Sequence, residues 1–163
     1  MNSTPLTLLR RVTLGNTYDL RADRFSVLMS GEDTGGRFAV IDLCARRSFE
    51  LPIHVHRHED ELITVLEGRL SVQVGASYAE AAPGQVLWLP RNVPHALKLR
   101  SETVRLLVMY TPAGFEHFLR EVSRPAAEFW PTAPDPPDVP RLVTVGERYG
   151  LEFFPEMTSQ EEQ

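Results

Sequence analysis

Cysteine is almost missing from this 163-residue chain, with Cys44 its single example. One thiol excludes an internal disulfide, and this usage fits a reducing compartment. Flanked by Val40, Ile41 and Leu43, Cys44 is expected to be a small buried hydrophobe rather than a reactive thiol. Basic runs are lacking as well. The net charge is −5 and no cluster of Lys or Arg stands out, which excludes nucleic acid as the main partner. No stretch approaches the ~20 apolar residues of a membrane span. Met1 to Gly15 has no apolar core or small-residue cleavage site of a leader peptide. The expectation is a cytoplasmic protein with no membrane partner.

What is present is enough for a core. Hydrophobic residues make up 42% of the chain, and a chain near this length buries roughly 68–70% of its unfolded surface. Folding then requires neither a disulfide nor a metal. One domain is expected over residues 1–163, with no internal repeat and no linker between two cores. Its parts would be a barrel core at about 25–110, a helical and extended segment at 111–157, and a flexible tail at 158–163.

From Phe25 to Tyr110 the chain reads as short strand-like runs separated by turn signals. Phe25–Met29 and Arg37–Cys44 flank a Gly-rich turn from Gly31 to Gly36. Leu62–Leu66 and Arg69–Val74 meet at Glu67-Gly68, which predicts a tight hairpin. Val86–Leu89, Ala96–Leu99 and Val104–Tyr110 follow, broken by Pro83-Gly84, by Pro90 to Pro94, and by Arg100 to Glu102. So many short strands imply an all-β closed or double-sheet structure rather than βαβ units. The period then changes. Thr111-Pro112 offers a helix N-cap followed by proline at the first helical position. Phe115, Phe118, Leu119 and Val122 repeat at helical spacing, predicting a helix on the outside of the barrel. Arg124 to Pro140 holds six of the 13 prolines and reads as an extended strap anchored by Phe129 and Trp130. A short amphipathic segment, Leu142 to Tyr149, and the apolar run Leu151 to Phe154 complete the pattern.

The chemistry is concentrated in His54-Val55-His56-Arg57-His58-Glu59-Asp60-Glu61, together with His95. Imidazoles two apart on a strand point to one face. A carboxylate five residues after His56 can return to that face across a bulge or turn. A further imidazole from a separate strand would complete a pocket of three nitrogens and one oxygen, a set that suits a first-row divalent metal. Glu59 and Asp60 could stand in for Glu61, but the spacing favours Glu61. His58 fits an exposed turn, with a hydrogen-bonding role behind the ligands as the lesser option. His117 lies off the apolar stripe of its helix and reads as a solvated residue. Trp88 and Phe38 could line a cavity, although aromatic residues in barrel strands are more often plain core.

Written out, the spacing is His54-x-His56-x4-Glu61-x6-Gly68, then Gly84-x5-Pro90-x-Asn92-x2-His95. This resembles the two motifs of the cupin superfamily. The resemblance implies a double-stranded β-helix (jelly-roll) barrel, here with a C-terminal helix and a Pro-rich strap. It also implies one divalent transition metal ion (Fe, Mn, Ni, Co, Cu or Zn) held by His54, His56, Glu61 and His95. Three positions depart from the family pattern. Ser48 replaces a usual glycine before the first His. Asn92 replaces another after Pro90, a benign change because Asn tolerates left-handed geometry. Leu99 replaces an asparagine often found four residues after the second-motif His. By period two, Leu97 and Leu99 face the same way as His95, and Ile63 and Val65 the same way as Glu61. The expected substrate pocket is therefore apolar around a polar centre.

Within the superfamily the run Glu59 to Gly68 and the later segments Pro112–Glu121 and Tyr149–Phe153 are most similar to quercetin 2,3-dioxygenase-like monocupins. The implied activity is a dioxygenase acting on a small molecule, a flavonol-like or enolisable aromatic or ketone substrate held on the metal. Glu61 would also serve as the base that takes the substrate hydroxyl proton. A binding or sensing module without turnover, or a non-redox isomerase or lyase, would use the same pocket. Edge strands of small barrels are often covered by a partner, so a homodimer is expected.

Overall fold

The computed structural model describes residues 8–47, 52–128 and 138–154. Ser48, the anchor residues Phe129 and Trp130, and the expected tail at 158–163 lie outside the described residues. The elements in chain order begin with β1 (Thr17–Leu20), β2 (Asp23–Met29), α1 (Gly31–Thr34), β3 (Ala39–Arg46), β4 (His54–His56) and β5 (Asp60–Glu67). Next come β6 (Leu70–Val74), β7 (Ser77–Ala81), β8 (Val86–Leu89), β9 (His95–Leu99) and β10 (Thr103–Thr111). The described residues finish with α2 (Phe115–Val122), β11 (Arg124–Pro125), α3 (Val139–Arg148) and β12 (Leu151–Phe153).

Among the described residues the strands form two sheets, β11-β1-β2-β3-β10-β5-β8 and β12-β4-β9-β6-β7. The pairings are antiparallel, including β3 with β10, β10 with β5 and β4 with β9. This is the jelly-roll fold with a helix after the barrel. Side-chain alternation builds its interior. In β10, Val104, Leu106, Val108 and Tyr110 are buried while the residues between them are half-exposed. In β5 the buried set is Glu61, Ile63 and Val65. Phe25, Ile41, Leu70, Val72 and Leu89 join them in one core.

Several expectations are corrected by the structure. β5 and β6 do not form a hairpin: β5 lies between β10 and β8 in the larger sheet, and β6 between β9 and β7 in the smaller. Gly68 is instead the corner where the chain changes sheet, at φ +80°, and a Cβ there would collide with the Thr103 carbonyl oxygen and meet Ser101 Oγ at 2.6 Å. β1 escapes an apolar-pattern reading because Thr17 and Asp19 are polar, buried and paired, while only Tyr18 and Leu20 pack against the core. The Thr17 hydroxyl meets Ser26 Oγ at 2.6 Å, and Arg24 donates to both oxygens of Asp19 at 2.7 and 3.0 Å. β7 shows no apolar alternation because four of its five residues are exposed. The Gly-rich turn contains the single-turn helix α1, started by Ser30, whose amide donates to Asp33 at 3.1 Å, and ended by Gly35 at φ +64°.

Thr111 does not cap α2. It is the last residue of β10, paired with Asp60, and its hydroxyl donates to the Arg37 carbonyl at 3.1 Å. The helix starts three residues beyond Pro112, after Gly114. Part of the expected strap is ordered structure: β11 pairs with β1, and α3 begins at Val139, with Asp138 accepting the Arg141 amide at 3.1 Å. Cys44 is exposed, not buried. Its apolar neighbours Ile41 and Leu43 belong to the core side of β3, so period two places the thiol on the other face, where Asp42 is covered and Cys44 is not. Partial burial and the Asp42 carboxylate both push the thiol above its usual pKa, so it is no reactive thiolate. Trp88 is neither core nor cavity lining: it stands 65% exposed on edge strand β8. Phe38 is half-buried.

Candidate metal centre

Strand β4 is only three residues long, and its alternation places His54 and His56 on one face. β9 lies beside it with His95 directly opposite His54. Their rings are 4.5 Å apart centre to centre, and the rings of His56 and His95 are near-parallel at 5.4 Å. One ring nitrogen from each of the three histidines lies within 4.8 Å of the others. Glu61 does not return to the same strand face across a bulge. The chain turns at Arg57 to Glu59 and crosses to the larger sheet, so Glu61 on β5 reaches the imidazoles from across the barrel. Its Oε2 is 3.7 Å from His56 Nε2 and 3.6 Å from His95 Nε2. All four side chains are buried.

Hydrogen bonds set the orientation of the donors. His54 Nδ1 lies 2.9 Å from the Pro52 carbonyl, and His95 Nδ1 lies 3.0 Å from that of Val93. A carbonyl can only accept, so both Nδ1 atoms carry the proton and both Nε2 lone pairs are free for the centre. Tyr110, paired across the sheet with Glu61, donates its hydroxyl to Glu61 Oε1 at 3.2 Å. That leaves Oε2 turned toward the histidines. Burial, and then the neighbouring His95 and His56, push the His54 pKa down to about 3, so it is neutral. Burial works to raise the Glu61 carboxyl, but contact with His95 and the neighbouring His56 and His54 outweigh it and hold it below the usual carboxylate range. Burial, then the Glu61 charge, raise Tyr110 well above its usual pKa and keep it a donor.

This donor set fits a divalent ion. His95 Nε2 is buried and has no hydrogen-bond partner, an arrangement that costs about 1–3 kcal/mol unless a ligand takes the lone pair. Donor separations near 3.6 Å match the edges of a coordination sphere with bonds of about 2.0–2.2 Å. A neutral His54 and an ionised Glu61 are in the protonation states that coordination needs.

Of the residues expected to line the pocket, Ile63 and Val65 share the buried face of β5 with Glu61 and are fully enclosed. Leu97 and Leu99 are half-buried on β9, opposite Val72 and Leu70 of β6. The rings that touch the imidazoles come from elsewhere. Phe115, at the start of α2, packs edge-on against His56 with centroids 4.4 Å apart, and Tyr110 lies 4.6 Å from Phe115. Phe153 of β12 lies 5.9 Å from His54. α2 thus covers the centre rather than merely the outside of the barrel. Glu59, weighed from the sequence as a stand-in for Glu61, is only 4% exposed, with Oε2 3.9 Å from His56 Nδ1. The sequence carries no signal for these contacts beyond an aromatic at the end of an alternating strand and one at the start of an apolar helix stripe. His58 is exposed, and its ring occupies the space a Cβ at Gly150 would fill. His117 is exposed beside Glu32 at 3.7 Å.

Two antiparallel sheets closed over three buried imidazoles, with the Glu61 carboxylate beside two of them, define a jelly-roll protein with a candidate metal centre. Residues 47–121 match the family model described as "Cupin domain". By this match and by its fold the chain is similar to members of the cupin superfamily. It is 30% identical over 89 residues to quercetin 2,3-dioxygenase of Bacillus subtilis, a match covering 55% of this chain and 26% of that protein. The chain thus spans about a quarter of that curated relative's length. Among solved structures it resembles KdgF from Halomonas sp. (TM-score 0.55, 13% identity, 62% of this chain and 91% of that one). It also resembles the polyketide cyclase RemF from Streptomyces resistomycificus (TM-score 0.51, 22% identity, 64% and 80%). These two likenesses concern the fold. Among the described residues, no helix is long and apolar enough to cross a membrane.

Proposed function

We propose that this chain is a metal-dependent dioxygenase whose substrate is a flavonol-like or otherwise enolisable aromatic or ketone molecule. The carrying observation is the divided role of the Glu61 carboxylate: Oε1 is held by Tyr110 while Oε2 faces His56 and His95. The stretch of similarity to quercetin 2,3-dioxygenase supports the same reading. His54, His56, His95 and Glu61 would hold the ion. When bound, it supplies Lewis acidity that lowers the pKa of a substrate hydroxyl. Glu61, ionised and buried beside Tyr110, accepts the proton of that hydroxyl. Tyr110, kept protonated, orients the carboxylate through the transfer. Phe115 and Phe153 offer faces and edges to a planar substrate and keep water from the imidazoles.

The test is Glu61→Gln, with metal content and oxygen uptake measured against a panel of flavonols and β-diketones. Protein purified without chelator is expected to hold one divalent ion per chain and to consume oxygen with at least one panel member. The variant is expected to retain some metal and lose turnover, a fall of roughly 10²–10⁴-fold for a lost general base. Full activity in the variant overturns the base assignment, and substoichiometric metal in every preparation overturns the centre. Tight binding of panel members without oxygen uptake points to a binding module, and product formed without oxygen points to an isomerase or lyase.

A further inference from the structure

The three imidazoles are not oriented alike. His54 and His95 each give their Nδ1 proton to the main-chain carbonyl two residues earlier. His56 has no such bond. Its Nδ1 is buried and has no hydrogen-bond partner. Neither has Glu59 Oε2, also buried, and these two atoms lie 3.9 Å apart. A buried carboxylate oxygen and a buried ring nitrogen, each lacking a partner, are stabilised by closing that gap by about 1 Å to an ordinary charge-assisted hydrogen bond. The neighbouring carboxylate behaves differently: Asp60 turns outward and binds Arg91 at 2.9 Å. Glu59 turns inward under the start of α2, where Gly114 makes room for it. A Cβ at position 114 would approach Glu59 Oε1 to 3.2 Å.

We infer that Glu59 is a positioning residue that holds the His56 proton on Nδ1 and so keeps the His56 Nε2 lone pair directed at the centre. The inference rests on the metal-centre reading and deepens it. Its physical core is a competition. Glu61 Oε2 lies 3.7 Å from His56 Nε2, so without an acceptor at Nδ1 the ring proton moves to Nε2 and is shared with Glu61. His56 then ceases to be a donor to the ion. A carboxylate behind a metal-bound imidazole fixes tautomer and ring angle in this way. Here one side chain does for His56 what the backbone does for His54 and His95.

Long-range nitrogen–proton NMR of the histidine rings in the metal-free protein tests this directly. Wild-type His56 is expected as the Nδ1–H tautomer. Glu59→Ala is expected to shift it to Nε2–H and to weaken zinc binding, measured by competition with a chromophoric chelator, roughly 10- to 100-fold. Glu59→Gln, which retains an acceptor oxygen, is expected to keep the Nδ1–H tautomer and lie within a few-fold of wild-type zinc affinity. An Nε2–H tautomer of His56 in the wild-type protein overturns the inference, whether or not either variant folds. So does an unchanged tautomer in Glu59→Ala. If wild type binds no zinc yet the tautomer shifts as described, the metal reading fails and the positioning role of Glu59 stands.

Discussion

Glu116 gives the sharpest test of how the fold holds its cover over the centre. Its side chain is fully buried, and its two oxygens accept the amides of Gly31 and Gly114, each at 2.7 Å. One carboxylate therefore ties the start of α1 to the start of α2, next to the Phe115 ring that packs on His56. Glu116→Gln preserves the shape but not the acceptors. The amide oxygen can serve one N–H, while the amide nitrogen faces the other and leaves it without a partner. Hydrogen bonds to a charged group contribute about 1.5–3 kcal/mol each, and a buried orphan donor costs a similar amount. Relief of the buried charge offsets part of the loss. The expected destabilisation is about 2–3 kcal/mol for Glu116→Gln, and roughly 4 kcal/mol for Glu116→Ala, which loses both bonds and leaves a cavity. Urea unfolding of the metal-free protein should show the midpoint falling by about 1 M or more at unchanged slope. Amide exchange of Gly31 and Gly114 should quicken in both variants. An unchanged midpoint with both amides still protected would refute the reasoning.

Two further outcomes follow from the same geometry. Gly68→Ala forces a side chain into left-handed backbone against the Thr103 carbonyl and Val104 Cγ1, whereas Gly84→Ala, at φ +88°, meets nothing within 4 Å. The first should lose about 3 kcal/mol or more and the second about 1 kcal/mol, read as the difference in urea midpoints. The pH dependence comes from His54, whose native pKa of about 3 lies below its unfolded value of about 6.5. In metal-free protein its contribution is complete above pH ~6.5 and is lost as pH falls toward ~3, by about tenfold in the folding constant per unit. Glu61, also depressed, loses its share only in the acid part of that window as pH falls through its native pKa. Unfolding curves at pH 7, 6 and 5 should show this slope in wild type and a flatter one in His54→Gln; parallel behaviour would contradict the assignment.

Much of the fold was legible because alternation and turn residues act locally. β2, β3, β5, β6, β8, β9 and β10 fall where short apolar runs break at Gly and Pro. β1 and β7 were not legible, since Thr17 and Asp19 are buried on polar partners, leaving β1 only Tyr18 and Leu20 against the core, and β7 is mostly exposed. The Glu67-Gly68 turn misled because a glycine that needs positive φ marks a change of direction without saying which sheet receives the next strand. Thr111-Pro112 misled in a similar way: a good cap sequence was taken up by the end of β10. Asn92, at φ +63°, adopts the left-handed backbone that its place in the motif requires.

The sequence alone pointed to His54, His56, Glu61 and His95 as candidate donors, because two-residue spacing on a strand and the resemblance to the cupin motifs are read from the chain itself. Tertiary structure decided what surrounds them. It brought Glu61 from the facing sheet, set Tyr110 on one of its oxygens, laid Phe115 on His56 and turned Glu59 inward behind that ring. Those contacts join residues up to some sixty positions apart on different strands and a helix. No local pattern encodes them, because they exist only once the two sheets close and α2 packs Phe115 against His56.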